Sequence, residues 1–281
     1  MIASRVAQWL SSEVTGAGDP PLVVKRQATE QLSLEDALAK LPRSEEYARK
    51  ILARLQSIRP LPPDSTTVVD IGAAQGRFVI GCARLGYRAI GIEPWAAARE
   101  AADELIALSG IDAKVLPGTA ESTGLASEQF DVVTCGAVIE HVKDAQAAFD
   151  EAFRILKPGG IFWFCAASSR SPRQHEIDGF PLFGWYPDGL KRRIMEWTRV
   201  NKPHLVGYTD APAINWFTPG KARRMLRRAG FRNHVYDRWD LRQPSEGGSR
   251  YRAALRVIKL GAPFKLLADV ALPGCAYATL K

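Results

Sequence analysis

The sequence predicts an α/β protein: one doubly wound, mostly parallel seven-stranded sheet with helices on both faces, N-terminal helices before it and an insertion after strand five. Three observations predict it. Short runs rich in Val, Ile and Phe alternate with segments of helical period between residues 66 and 166. The first run, "VVDIGAAQGRF", ends in an acid and passes through glycines into a helix. The spacing between most runs leaves room for a crossover helix, which joins parallel neighbours right-handedly.

Residues 1–60 read as an N-terminal helical segment, with "GAGDPP" separating two short helical patterns from "SEEYARKILARLQSI". In the latter, Tyr47, Ile51, Leu52, Leu55 and Ile58 recur at helical spacing. Ser44 is placed to cap this helix, Glu45 and Glu46 suit its dipole, and "RPLPPD" ends it. The main domain spans residues 61–281. Strands are expected at 68–71, 88–93, 113–116, 130–136 and 161–166. Helices are expected at 77–85, 95–109 and 144–156, the second closed by Gly110 and the third stopped by "KPGG". Residues 167–217 break the pattern with aromatics, prolines and bases. That stretch is too aromatic for disorder and long enough to be functional. Thr218 and Pro219 then cap and open a helix, and "FRNHVYD" reads as strand six. Residues 249–272 form a basic amphipathic segment before a last strand, "GCAYATLK".

The chain has 281 residues, and its apolar share of 46% and charged share of 24% are those of ordinary globular proteins. It has no membrane-spanning apolar run and no signal-peptide pattern, so a cytoplasmic location is expected, with the membrane surface as an alternative. Cys82, Cys135, Cys165 and Cys275 form no CxxC pair and read as buried small hydrophobes. His141, His175, His204 and His234 lack metal-ligand spacing, so no metal is indicated. Residues 190–281 hold 19 Lys and Arg against 6 Asp and Glu. Such a basic third suits an anionic partner (nucleic acid, an acidic lipid surface or a phosphorylated substrate) or simply a solvated face.

A dinucleotide loop would read GxGxxG; Gly72-Ala73-Ala74-Gln75-Gly76 lacks the middle glycine. Asp70 beside it would repel a pyrophosphate but attract an ammonium group. Glu93, 17 positions after Gly76, is placed to accept both hydroxyls of a ribose. A loop tolerant of an amino acid moiety plus an acid for ribose points to S-adenosyl-L-methionine, with S-adenosyl-L-homocysteine as product.

Six segments in order carry a family likeness: "VVDIGAAQGRF", "AIGIEPW", "GTAESTGL", "FDVVTCGAVIEHVKD", "AFRILKPGGIFWF" and "FTPGKARRMLRRAGF". Over residues 66–166 and again at 217–237 the sequence resembles the class I S-adenosylmethionine-dependent methyltransferases, and among them the methyltransferase type 11 group, whose fold is Rossmann-like. The resemblance implies that Asp70 and the backbone around Gly72, Ala73 and Gly76 hold the methionine portion. It implies Glu93 for the ribose, Pro94 or Trp95 beside the adenine, and the Ala120 amide on the adenine ring. It places Cys135 at the amino acid end and Val138 to His141 near the methyl group. Where the family often has an acid, this chain has Thr119, an uncharged and weaker acceptor, with Glu121 further along as the candidate to compensate, which leaves that adenine contact open.

Methyl transfer to an alcohol calls for in-line alignment and a base, for which His141 is the best-placed candidate; a structural histidine holding loop backbone is the competing reading. The loop after strand four, "CGAVIEH", lacks the "[ND]PP[YFW]" of enzymes that methylate base amino groups and the Pro-Cys of cytosine enzymes. The paired-glutamate loop of protein arginine methyltransferases is also missing. Nucleic acid and protein acceptors are therefore disfavoured, leaving a small molecule, glycan or lipid, with oxygen as the expected methylated atom. In the insertion, the acceptor lid in this family, His175, Phe183, Trp185, Tyr186, Tyr208 and Trp216 are the substrate-binding candidates; their aromatics either wall a pocket or form a satellite core. "LKRRIMEWTRV" and residues 249–272 are basic and amphipathic, which suits peripheral contact with an anionic membrane. The alternatives are a cofactor-binding module without turnover and an RNA methyltransferase.

Overall fold

The computed structural model describes residues 41–207 and 211–281. The helical patterns expected before residue 41, and Tyr208, lie outside the described residues.

Alternation of strand and helix carries through. The chain forms α1 (Leu41–Gln56), β1 (Thr67–Ile71), α2 (Arg77–Arg84), β2 (Arg88–Ile92), α3 (Ala96–Ser109) and β3 (Lys114–Leu116). It continues through β4 (Phe130–Gly136), α4 (Ala145–Ile155) and β5 (Leu156–Ala167). After the insertion, with its helix α5 (Asp188–Asn201), come α6 (Pro219–Ala229), β6 (Tyr236–Asp237), α7 (Arg238–Leu241), α8 (Ser249–Ile258), α9 (Ala262–Ala271) and β7 (Gly274–Leu280). The seven strands form one sheet in the order β3-β2-β1-β4-β5-β7-β6. The first five are parallel, while β7 runs antiparallel between β5 and β6.

Each strand divides its side chains between two cores, as the period of two requires. Val69, Val133, Phe162 and Phe164 face one layer with Phe149 of α4, Leu226 of α6 and Phe231. Val68, Val132, Ile161 and Trp163 face the other, with Leu52, Ile80 and Leu105 of α1, α2 and α3. A Cβ on Gly81 of α2 would press on the Ser44 backbone, so a glycine there lets α1 and α2 approach closely.

Several boundaries differ from expectation. Ser44 lies inside α1 rather than capping it, because Pro42 is tolerated in a helix's first turn. "KPGG" does more than stop α4: residues 157–160 already belong to β5, with Gly159 at φ +73° and a register shift opposite Phe130 and Val132. Strand six shrinks to two residues, since Asp237 caps α7 by accepting from the amides of Trp239 and Asp240. The basic C-terminal segment is two helices, parted at Gly261.

The insertion has its own small core of Ala167, Ile177, Phe183, Met195, Val206, Ala213 and Trp216. Its hub is Lys191, only 1% exposed. The ammonium pairs with Asp188 at 2.8 Å and sits 4.3 Å from the centroid of the Trp216 ring.

Candidate functional site

In this strand order the sheet reverses its winding between β1 and β4, the place where doubly wound sheets take ligands. Both strand ends carry backbone in the left-handed region. Gly72 (φ +76°), Ala74 (φ +47°) and Gly76 (φ +71°) follow β1, and Ala137 (φ +57°) follows β4. For the two alanines this conformation costs on the order of 1–2 kcal/mol each, so the surrounding structure must impose it. The amides of Gly72 and Ala73 donate to the Ile92 carbonyl, fastening the loop to β2. A Cβ on Gly72 would collide with Cγ2 of Val138, so a side chain there would fill the cradle between the two loops.

Two buried carboxyls flank this cradle. Asp70 accepts the Thr134 hydroxyl at 2.7 Å. Burial pushes its pKa up to about 7, opposed by that hydrogen bond and aided by the charge of Glu93. Glu93 accepts the Ala74 amide on Oε2 at 2.8 Å and the Trp95 amide on Oε1 at 3.1 Å. Burial raises its pKa too, against those two amides and Arg99. One amide per oxygen leaves acceptor capacity on both, which is what a pair of vicinal hydroxyls requires. Arg99 Nη1 donates to the carbonyls of Glu93 and Pro94, each at 2.8 Å, and so fixes the turn. Pro94 is exposed, and Trp95 is 41% exposed.

Beyond β3, Thr119 and Ser122 bond each other's backbone, and Thr119 Oγ1 accepts the Ser122 amide at 3.2 Å. Ala120 is buried among the core residues under this turn. The expectation that Glu121 stands in for an acid at position 119 meets a competing tie. Its Oε1 accepts the amides of Lys143 and Asp144, at 3.1 and 3.4 Å, which binds it to the entry of α4.

Cys135 is buried at the end of β4, its thiol pushed well up by desolvation and the neighbouring acids, so it acts as packing. His141 is held by the insertion. Burial lowers its pKa, while hydrogen bonds to the backbone of Ala211 and Pro212 act in the opposite sense. A neutral ring of this kind is competent to accept a proton, yet it also clasps loop backbone.

Two buried acids were not singled out from the sequence, although Glu140 lies within the Val138 to His141 run. Glu140 is 4% exposed, its Oε2 is buried without a hydrogen-bond partner, and its pKa is driven up to about 8 by burial and by Glu176. Glu176, in the insertion, is also buried, with a pKa pushed to about 7 by desolvation. Asn215 completes this junction by donating to the carbonyls of Ile139 and Val142 at 3.2 and 2.8 Å. The "VIEHV" run contained the first acid, but nothing in sequence marks a glutamate for burial.

The proposed acceptor residues do not act as one wall. Phe183 and Trp216 are 1% and 0% exposed inside the insertion's own core, which corrects their expected place on an open pocket wall. Their rings meet edge to face at 6.0 Å, so packing, not ligand contact, accounts for them. Tyr186 is half-buried against Phe183. Trp185 is 54% exposed and donates Nε1–H to the Arg170 carbonyl, while His175 is exposed. No group of three or more potential metal ligands occurs among the described residues.

Residues 69–164 match the family model described as a methyltransferase domain. The chain is 34% identical over 160 residues to the ubiquinone biosynthesis O-methyltransferase of Methylobacterium nodulans, covering 56% of this chain and 62% of that protein. It is 33% identical over 136 residues to the enzyme of the same name from Brucella anthropi, covering 46% and 53%. It thus spans between half and two thirds of the length of these curated relatives. Among solved structures, an S-adenosylmethionine-dependent methyltransferase from Mesorhizobium loti shares the fold at TM-score 0.51 and 18% identity, over 82% of this chain and 98% of that one. A geranyl diphosphate methyltransferase bound to GPP and sinefungin does so at TM-score 0.53 and 17% identity, over 84% and 78%. With its loop, paired acids and winding order, the chain has the fold of these methyltransferases, and over residues 69–164 it is similar to the methyltransferase domain family.

Proposed function

We propose that this protein moves a methyl group from S-adenosyl-L-methionine to an oxygen of a small, lipid-type acceptor. The observation that carries the cofactor half is Glu93, whose two oxygens are each oriented by one backbone amide and each retain acceptor capacity. In this reading Glu93 takes the ribose hydroxyls, Asp70 and the Gly72–Gly76 loop take the amino acid end, and Thr119 and Ala120 take the adenine. Bound there, the sulfonium supplies an electrophilic methyl group. His141, its pKa lowered by burial, would receive the acceptor's hydroxyl proton as the methyl group passes from sulfur to that oxygen, the methyl–sulfur bond breaking to leave S-adenosyl-L-homocysteine. Glu140 and Glu176, buried at the junction of the post-β4 loop and the insertion, keep water out and orient that loop. The oxygen acceptor is supported by the relatives' printed names, and the lipid character by the exposed apolar and basic faces of α5 and the C-terminal helices. Peripheral contact with an anionic membrane belongs to the same reading; no helix among the described residues is long and apolar enough to cross one. The domain plan, with residues 167–217 as acceptor lid on a 61–281 methyltransferase domain, is part of the proposal.

Calorimetric titration with S-adenosyl-L-homocysteine, for the wild type and Glu93→Ala, tests the cofactor half. Binding in the wild type that weakens at least about tenfold in the variant is expected for loss of charge-assisted hydrogen bonds. Equal binding by both would remove Glu93 from the site. Methyl-labelled cofactor offered with a prenylated catechol should then yield labelled, solvent-extractable ether. Tight cofactor binding without label in any hydroxylated lipid or phenol would favour a binding module instead.

A further inference from the structure

The α8–α9 hairpin is inside out. Helix α9 has two charged residues, and both turn inward. Lys265 binds Asp237 and Asp240, while Asp269 binds Arg170 at 2.6 Å and the Trp239 indole at 2.7 Å. Its outward residues are apolar: Phe264 is 41% exposed, Leu266 45% and Leu267 70%, while Ala268 is buried. Leu260 (73%) and Val257 (49%) extend this face around the hairpin bend. Helix α8 adds exposed Arg252 and Arg256, four residues apart and so on one side of the helix, with Arg250 exposed on the other flank of buried Tyr251. Solvation alone would select the opposite arrangement, since ordinary surface helices put leucine inside and charge outside.

We propose that this hairpin is the docking surface for an anionic phospholipid bilayer. An apolar face flanked by arginines matches the boundary between acyl chains and acidic headgroups, where each cation near the surface adds to binding. A second copy of the chain fits worse, because a two-fold contact would set the α8 arginines of both copies against each other. Docking would also bring the insertion to the lipid. The Ser168 amide, at the insertion's start, donates to the Pro273 carbonyl just after α9, and Asp269 holds Arg170. The docking deepens the membrane contact proposed above by giving it a surface, and a lipid-type acceptor would then enter from the bilayer, a consequence that rests on the acceptor of that same proposal.

The basic stripe on α6 provides the control. Arg223, Arg224, Arg227, Arg228 and Arg232 line a shallow depression on the α4 layer, whereas the turn leading into α8 is tied to α1 on the opposite layer through the Glu246–Arg54 ion pair. The full chain is sedimented with vesicles of phosphatidylcholine alone and with about one third phosphatidylglycerol. The expected result is binding to the acidic vesicles, a fall of at least about tenfold for Leu260→Glu/Leu267→Glu, and a change within about twofold for Arg223→Glu/Arg227→Glu. Homocysteine-cofactor affinity, measured in parallel, should be unchanged in both variants, which shows that they fold. Three outcomes would overturn the proposal: no vesicle binding by the wild type, an equal loss in the α6 variant, or a wild-type dimer that the hairpin variant dissociates. Docking without methylation of any lipid acceptor would overturn the acceptor reading alone, and methylation of soluble phenols by a chain that ignores vesicles would overturn the docking alone.

Discussion

At the proposed cofactor site, Asp70 is a buried side chain that would couple cofactor capture to protons. With its pKa near 7 it is about half protonated at neutral pH, because burial disfavours the charge and Glu93 adds repulsion. An ammonium group arriving beside it favours the charged form and lowers that pKa. Binding of S-adenosyl-L-homocysteine should therefore release a fraction of a proton near pH 7, and affinity should rise with pH until Asp70 is ionised in the free protein. Calorimetry in buffers of different ionisation enthalpy reads the released proton directly, and Asp70→Asn should abolish it; identical heats in all buffers would remove Asp70 from contact with the ammonium. His141 makes a kinetic prediction. As a base it should lose about 10²–10⁴-fold in kcat on His141→Gln with cofactor affinity intact. A variant with near-native kcat would leave the ring as a clasp on Ala211 and Pro212. Gly72→Ala combines a left-handed φ with a collision at Val138, so it should cost roughly 2–4 kcal/mol in stability. Adding Val138→Ala should restore the packing part but not the backbone part, which a double-mutant cycle separates.

At the scale of elements, the central strands were legible to within a residue or two. Runs such as "VVDI" and "FDVVTCG" are buried on both faces and read as continuous apolar segments. What the sequence concealed follows from tertiary contacts that contradict local character. Residues 188–201, of which 190–200 already read as amphipathic, form a helix that docks by burying Lys191, a residue type normally read as solvated. Phe183 and Trp216 were equally consistent with pocket and core, and only the Lys191–Trp216–Asp188 cluster decides for core. The positions of the glycine loop and Glu93 at the ends of β1 and β2 were legible because strand ends and turns demand particular residue types; the burial of Glu140 and Glu176 was not, because it depends on the insertion's path. If Lys191 is what holds the insertion, Lys191→Met should speed proteolytic cleavage within residues 167–217 while global stability falls by only about 1–2 kcal/mol, Asp188 being partly solvated. Unchanged cleavage would mean that the aromatic cluster holds the insertion without its cation.

For the molecule as a whole, the buried acids set a pH dependence of stability opposite to the usual rise from acid to neutral. Asp70 and Glu176 titrate near 7 and Glu140 near 8 in the folded chain, all above their ordinary carboxylate values. Between about pH 5 and pH 8 the unfolded chain has lost these protons while the native chain still holds them, so stability falls as pH rises, by up to about 1.4 kcal/mol per pH unit for each proton held. Below the unfolded values both states are protonated and the contribution is fully present. At the acid end another group takes over. Burial alone would raise the pKa of Asp131, but Lys157, Thr67 and Arg59 hold it well below the usual carboxylate range. Its contribution therefore disappears as the solution is acidified below about pH 4. The result should be a stability maximum near pH 5, with a decline towards pH 8 that Glu140→Gln makes shallower, since the amide replaces the protonated carboxyl without a charge to desolvate. Urea unfolding at half-unit steps of pH measures the curve for both proteins. A wild type whose stability is flat or rising between pH 5 and 8, or a Glu140→Gln variant with the parent's slope, would show that Glu140 ionises freely and that the junction between the insertion and the post-β4 loop is wet.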